Sequence, residues 1–326
     1  MSKIGIVGLG AVGAACAMAA VGRGVARELV LVDRTRRRSR AVATDMRYGA
    51  PLSGVIDLRD GDYTDLAGSA LVMVTVGVNE KTGGATDRSD PAGRLKLLDA
   101  NAAIYREVIP RVVAAAPDAV ILVVSDPPDP LADLARQLAG HDRVLSTGTF
   151  LDSLRFRVHL ADRFAVSPDS VEAQVVGEHG TSEVFLWSSA RIAGAPLMEV
   201  AGSRPIPPRQ LRREIERAVR YANITIIEGI GASQYGIGMV SARIAQMVLR
   251  DERTVVPIGS YNAEYGVTLS LPAVVGRGGV IRVLDPTKSA VEQRRLLASA
   301  QTLRQVGRRI LDGPTSVDDV VRWAPG

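Results

Sequence analysis

Three glycines, at positions 8, 10 and 13, stand directly after the apolar run Ile4-Gly5-Ile6-Val7, and they restrict the first third of this chain more than any other feature. The run, the stretch Gly8-Leu9-Gly10-Ala11-Val12-Gly13 and the small residues continuing through Ala20 read as strand, tight turn and helix. In that arrangement Gly8 permits the turn, Gly10 lets backbone approach a ligand closely, and Gly13 lets helix and strand pack together. The helix start at Gly10, Ala11 and Val12 would offer its N–H groups to a pyrophosphate. Spaced glycines alone also suit an ordinary glycine-rich turn. Here, however, a second apolar run, Glu28–Val32, ends in Asp33, twenty residues after Gly13. A carboxylate at that point suits the hydroxyls of an adenosine ribose and repels a 2′-phosphate, which favours NAD over NADP. Arg34, Arg36, Arg37, Arg38 and Arg40 follow at once. Such a run usually forms a solvated helix face, and its alternative use is to grip an extra phosphate.

The same rhythm continues. Val55–Leu58, Ala70–Gly77, Ala119–Val124 and Val144-Leu145 are apolar runs separated by helical stretches. Uninterrupted runs bounded by glycine suit strands buried on both faces, and their alternation with helices predicts a doubly wound parallel sheet, the Rossmann arrangement, over residues 1–149. Its ligand crevice should lie beyond the strand C-termini, which places Gly77 beside the cofactor. After Phe150 the texture changes. Shorter strands are expected at Glu172–Val176, Arg191-Ile192, Thr254–Tyr261, Val267–Val275 and Val280–Leu284, with helices at Arg209–Gly229, Tyr235–Leu249 and Ser289–Leu311. This predicts an α+β substrate domain over residues 150–326.

Composition narrows the function class. At 326 residues with 46% hydrophobic residues, the chain can bury a large core. The net charge of +5 would suit nucleic acid, but the arginines are dispersed and aromatic residues make up only 4%, so a base-stacking platform is not expected. One cysteine, Cys16, excludes an intrachain disulfide and suits a reducing compartment. The segment Ile4 to Gly22 carries no charge, yet its glycines and alanines make it too weakly apolar for a membrane span or signal. The expectation is a cytoplasmic protein with a small-molecule substrate, no bound metal, and neither nucleic acid nor membrane as partner.

Of three histidines, His141 lies in a turn-like Gly140-His141-Asp142 and His159 in a helix-like stretch, whereas His179 follows the apolar run Val171–Val176 in Val176-Gly177-Glu178-His179-Gly180. An imidazole at a strand end can exchange a proton near neutral pH. Read alone, a single histidine is more often a structural hydrogen-bonding group. Together with Leu151-Asp152-Ser153-Leu154-Arg155-Phe156-Arg157, however, the segment resembles the signature of the lactate/malate dehydrogenases, and the resemblance runs from Lys3 to the last helix. It implies that His179 exchanges a proton with the substrate oxygen, Asp152 orients the imidazole and stabilises its cation, and Arg155 forks onto the substrate carboxylate. It also implies a second arginine on a loop between Gly77 and Asn101. Arg94 is the candidate, with Arg88 competing because the loop is longer than most of the family. Ser233 falls where the family has a small hydroxyl residue against the substrate, and as an alternative it caps a helix starting near Tyr235. A homodimer or homotetramer is implied as well.

Two positions depart from the resemblance. Ser125-Asp126-Pro127 stands where the family reads Ser-Asn-Pro, and an ionised carboxylate cannot donate as an amide does. At about 4 Å from a substrate carboxylate and an effective dielectric of ~20 it would cost roughly 4 kcal/mol. Glu80 stands where the family discriminates substrate side chains, and it would repel an acidic one unless the longer loop carries it into solvent. The expectation is therefore an NAD-dependent oxidoreductase acting on a 2-oxo acid/2-hydroxy acid pair with a bulky or cationic side chain. Two alternatives stay open: reduction of an imine on the same scaffold, and a nucleotide-binding protein without turnover.

Overall fold

Leu71–Val74 and Val120–Val123 are buried along their whole length, as uninterrupted apolar runs require of strands covered on both faces. In the computed structural model, which describes residues 2–53, 57–78, 96–202 and 208–311, they are β4 and β5 of one large sheet. The first half supplies β1 (Lys3–Val7), β2 (Glu28–Val32), β3 (Asp57–Asp60) and β6 (Val144–Ser146). It also supplies α1 (Ala11–Gly22), α2 (Arg36–Gly49), α3 (Lys96–Ala115) and α4 (Pro128–Ala139). The strands run parallel in the order β3-β2-β1-β4-β5-β6, so the winding reverses between β1 and β4. That reversal is where a doubly wound sheet opens a crevice.

Alternation along each strand divides the core between the two faces. Ile4, Ile6, Leu29 and Leu31 pack with Cys16, Ala17 and Ala20 of α1, while Val7, Val30 and Val32 pack with Leu98, Tyr105 and Ile109 of α3 and Leu131 of α4. The third strand continues two residues beyond the end that the apolar pattern suggests, and Val55 and Ile56 lie outside the described residues. It is an edge strand, Asp-Leu-Arg-Asp, with only Leu58 buried, held in register by Arg59 bridging Glu28 and Asp65 at 3.0 and 2.8 Å.

The second half opens with α5 (Phe150–Phe164), then β7 (Val171–Glu172), β8 (Val175–Val176), β9 (Val184–Phe185), β10 (Arg191–Ile192) and β11 (Ala195–Pro196). The helices α6 (Leu197–Gly202), α7 (Pro208–Arg220), α8 (Ala222–Ile230) and α9 (Tyr235–Arg250) follow, then β12 (Thr254–Asn262), β13 (Val267–Gly276), β14 (Gly279–Val283) and α10 (Ala290–Leu311). Three features differ from the sequence pattern. The run 172–176 is two short strands, β7 pairing with β10 and β8 with β9. The long helix expected from Arg209 is broken at Tyr221, because α7 turns its stripe Leu211, Ile215 and Val219 onto the cluster around Phe156 and Trp187. Finally, β12–β14 do not form a sheet of their own. They extend the parallel sheet antiparallel to β6 through the pairing of Gly259 with Ser146.

Among the described residues no helix is long and apolar enough to cross a membrane, and no group of three or more His, Cys, Asp or Glu side chains is placed to hold a metal. Cys16 is buried, which pushes its thiol up to about 12 and leaves it unreactive.

Candidate active site

The crevice begins where β1 turns into α1. Gly8 has φ +95°, and a Cβ there would come within 2.9 Å of the Val76 backbone nitrogen, so only glycine serves. A Cβ on Gly13 would run into the Gly8 carbonyl oxygen, which is what lets α1 sit close on the turn. Gly10 is different. It N-caps α1 with no side-chain cap, and a Cβ there would meet nothing within 4 Å. With no acidic residue in the first turn of α1, its N–H groups face the cavity lined by Gly10, Ala11 and Val12. This cradle fits a pyrophosphate. Beside it, Asp33 accepts hydrogen bonds from Leu9 N at 2.8 Å and Thr35 N at 2.9 Å, which hold the carboxylate at the end of β2 next to the turn. Arg36 is engaged by Asp60 and Asp62 at 3.2 and 2.5 Å, and Arg40 lies 3.8 Å from Asp60, so neither is directed at a phosphate beside Asp33. The residues present thus fit an adenine dinucleotide with an unphosphorylated ribose.

Opposite the cradle, α5 starts directly after β6 and carries Asp152 and Arg155 in its first two turns. Asp152 is 2% exposed. One of its oxygens meets His179 Nδ1 at 2.5 Å and the other accepts from Arg155 Nη1 at 3.0 Å. With Nδ1 engaged, proton exchange with a substrate falls to Nε2. His179 and Arg155 line the same cavity as Gly10 and Gly77, together with Asp126 and Ser233. Ser233 does not cap α9, whose first turn follows Gln234 without a side-chain cap bond. Glu80, Arg94 and Arg88 lie outside the described residues.

The histidine is fixed by groups from distant parts of the chain. Gly177, with φ +86°, exchanges backbone hydrogen bonds with Ser270 of β13, at 2.8 and 2.9 Å, and a Cβ on it would come within 2.7 Å of Ser299 Oγ. Ser299 of α10 accepts from Glu178 N at 2.9 Å. Asp129 of α4 accepts from His179 N at 2.7 Å and from Ser146 Oγ at 2.5 Å. Burial pushes the Asp129 carboxyl up to about 7, against the pull of these two bonds and of the nearby His179.

Sequence reasoning passed over Asp129, Asn101 and Asn223. Asn101 ties two strand-end loops together: its Oδ1 accepts from Val78 N at 2.8 Å and its Nδ2 donates to the Asp126 carbonyl at 2.7 Å. The signal for it was an asparagine at a buried helix position, 1% exposed, which calls for a polar partner. The two carboxylate oxygens of Asp126 are themselves buried in the cavity wall.

Comparison with known proteins identifies the chains to which this one is similar. Residues 2–145 match the family model of the lactate/malate dehydrogenase NAD binding domain, and residues 149–311 match that of the lactate/malate dehydrogenase alpha/beta C-terminal domain. The chain is 45% identical over 303 residues to an L-lactate dehydrogenase of Deinococcus radiodurans, covering 93% of this chain and 97% of that protein. It is 42% identical over 311 residues to an L-lactate dehydrogenase of Thermus aquaticus, covering 93% and 97%. Among solved structures, the ligand-bound minor L-lactate dehydrogenase of Enterococcus mundtii superposes with a TM-score of 0.86 at 33% identity, covering 94% of this chain and 98% of that one.

Proposed function

The chain belongs to the lactate/malate dehydrogenase family, and on that footing we propose that its 2-oxo acid/2-hydroxy acid substrate carries a side chain more polar than the methyl group of lactate. The reaction class is that of an NAD-dependent dehydrogenase acting on CH–OH. The observation that carries the assignment of residues is the shared cavity of the Gly10 cradle, His179 and Arg155, with Asp152 behind the imidazole.

When bound along Gly10–Val12, NAD supplies or receives the hydride. His179 Nε2 gives a proton to the carbonyl oxygen during reduction and takes it back from the hydroxyl during oxidation. Asp152 holds the ring in the tautomer that permits this and stabilises the imidazolium, in a buried setting where the attraction is strong. Arg155 pairs with the substrate carboxylate while Asp152 braces it from behind. The side-chain proposal rests on Asp126, a carboxylate in the cavity wall where an amide would donate to the substrate. Negative charge there disfavours acidic tails and favours polar or cationic ones.

The test is NADH oxidation over a panel of 2-oxo acids with neutral, acidic and basic tails, each with and without ammonia. Turnover of 2-oxo acids independent of ammonia, and least with the acidic tail, supports the reading. A requirement for ammonia overturns it in favour of imine reduction, and silence on the whole panel removes the catalytic assignment.

The proposal extends to a homodimer or homotetramer. Met18 of α1 and Tyr235 and Met239 of α9 are each more than half exposed, and the two helices pack so closely that a Cβ on Gly238 would come within 2.7 Å of the Ala15 carbonyl carbon. A second copy covering this apolar strip would brace the cradle, and light scattering of the purified protein checks it. A reducing compartment such as the cytoplasm suits the single buried cysteine.

A further inference from the structure

Asn223 is a polar side chain at a place where the fold gains nothing from it. It sits in the first turn of α8, is 7% exposed, and lines the same cavity as His179, Arg155 and Ser233. Among the described residues its carboxamide makes no hydrogen bond within the protein. A carboxamide on a cavity wall can bond whatever occupies the cavity, whereas alanine would suit the helix better and offer no such bond. A ligand group in the cavity would supply the bonds that the fold does not. Ser233, in the turn between α8 and α9, offers a hydroxyl to the same cavity, so a second polar group comes from the same side of the fold.

From this placement, and resting on the 2-oxo acid reading given above, we infer that Asn223 is a specificity-determining residue that binds the side chain of the substrate, and that this side chain is neutral with a hydroxyl or amide group. The chemistry of the wall decides between neutral and charged. A carboxamide offers one acceptor and two donors, and a hydroxyl offers one donor with acceptor lone pairs, so neither carries a charge to neutralise an ionic tail. Among the described residues of this wall the one carboxylate is Asp126, whose oxygens are buried. It discourages acidic tails through its field, and Asn223 and Ser233 add no charge to pair with a cationic tail. A tail such as the hydroxymethyl group of 3-hydroxypyruvate satisfies both Asn223 and Ser233. A methyl group leaves both unbonded.

A contact to a part of the substrate that does not react is made equally in the ground state and the transition state, so its loss appears in KM and not in kcat. The experiment measures kcat and KM with NADH for 3-hydroxypyruvate and pyruvate, using wild type, Asn223→Ala and Asn223→Ser. Wild type should prefer 3-hydroxypyruvate. Asn223→Ala should raise its KM about tenfold to a hundredfold, the range one or two such hydrogen bonds supply, while pyruvate changes by less than about threefold. Asn223→Ser should recover part of the preference. An unchanged ratio of the two substrates in Asn223→Ala overturns the assignment of Asn223 and leaves the 2-oxo acid reading standing. Equal loss on both substrates places Asn223 in the scaffold and also overturns it. No turnover of either by wild type would sink the 2-oxo acid reading, and this inference with it.

Discussion

Replacing Asp129 with asparagine should change the sign of its effect on stability between acid and alkaline pH. The wild-type carboxyl is 1% exposed, and burial outweighs the bonds from Ser146 and His179, so its pKa rises from 3.8 to about 7. In the unfolded chain the group ionises from about pH 4 upward, whereas in the folded chain it keeps its proton until about pH 7. Its contribution to stability is therefore fully present below pH 4 and is lost progressively as pH rises to 7. The interval from 3.8 to about 7, at about 1.4 kcal/mol for each pH unit, amounts to roughly 4 kcal/mol. Asparagine cannot ionise, so the variant lacks this slope.

Asparagine also keeps only one acceptor atom. Its oxygen must face His179 N, which can only donate, and its NH2 then meets the Ser146 hydroxyl, which can turn to accept. The exchange costs about 1–2 kcal/mol at low pH, where the carboxyl is protonated and comparable to an amide. At pH 8 the relief of the buried charge exceeds that cost by about 2 kcal/mol. Urea unfolding of both proteins at pH 5 and pH 8 measures this, and Asp133, raised to about 6 by burial, cancels because it is present in both. The gap between variant and wild type should shift by roughly 3 kcal/mol across that range, in favour of asparagine at high pH. Parallel pH dependence in the two proteins would refute the claim that Asp129 holds a proton in the fold.

Four further substitutions have expected outcomes. NADH should bind far more tightly than NADPH, and Asp33→Ser should narrow the difference, because Asp33 lies against the glycine turn while Arg36 and Arg40 are taken up by Asp60 and Asp62; equal wild-type affinity, measured by fluorescence titration, contradicts this. His179→Asn should lower kcat by at least about a hundredfold, the usual scale of general acid–base catalysis, with NADH affinity unchanged; Asp152→Asn should move the alkaline limb of kcat/KM for reduction toward acid, and an unmoved profile means that Asp152 is not the counter-charge. Asp126→Asn should improve kcat/KM most for acidic 2-oxo acids, and equal improvement on acidic, neutral and basic tails would reduce Asp126 to a local handicap.

How much of this was legible in the sequence depended on the range of the interactions. The strands of the parallel sheet could be read because β4 and β5 are apolar without interruption, a pattern that burial on both faces imposes locally. The end of β3 at Asp60, two residues past the apolar run, is not legible because an edge strand needs only one buried side chain among its described residues, here Leu58, and so carries little pattern. The extension of the sheet by β12–β14 left no trace, since it hangs on the pairing of Gly259 with Ser146, and the alternation within a strand does not say which strand lies next to it. The proposed acid/base pair could be picked out only through its resemblance to a family. Asp152 and His179 stand 27 positions apart, and nothing in their spacing brings them to 2.5 Å.

Asp129 and Asn223 show why the rest stayed hidden. In Pro128-Asp129-Pro130 the aspartate looks like a solvent-facing residue at the start of a helix, and helix N-termini do favour acidic side chains. Its true surroundings come from Ser146, 17 residues on, and His179, 50 residues on. The same holds for the loop that carries the histidine, which is fastened by β13 through Ser270, by α10 through Ser299 and by α4 through Asp129. A boundary near residue 149 therefore describes the order of the chain better than the packing of the site. The residue proposed to exchange the proton, His179, comes from the second half, but its backbone is held by a carboxylate of the first, Asp129, on the helix that follows β5 and Asp126. A substitution at Asp129 should accordingly disturb proton exchange while the Gly10 cradle, at the other side of the cavity, keeps its shape.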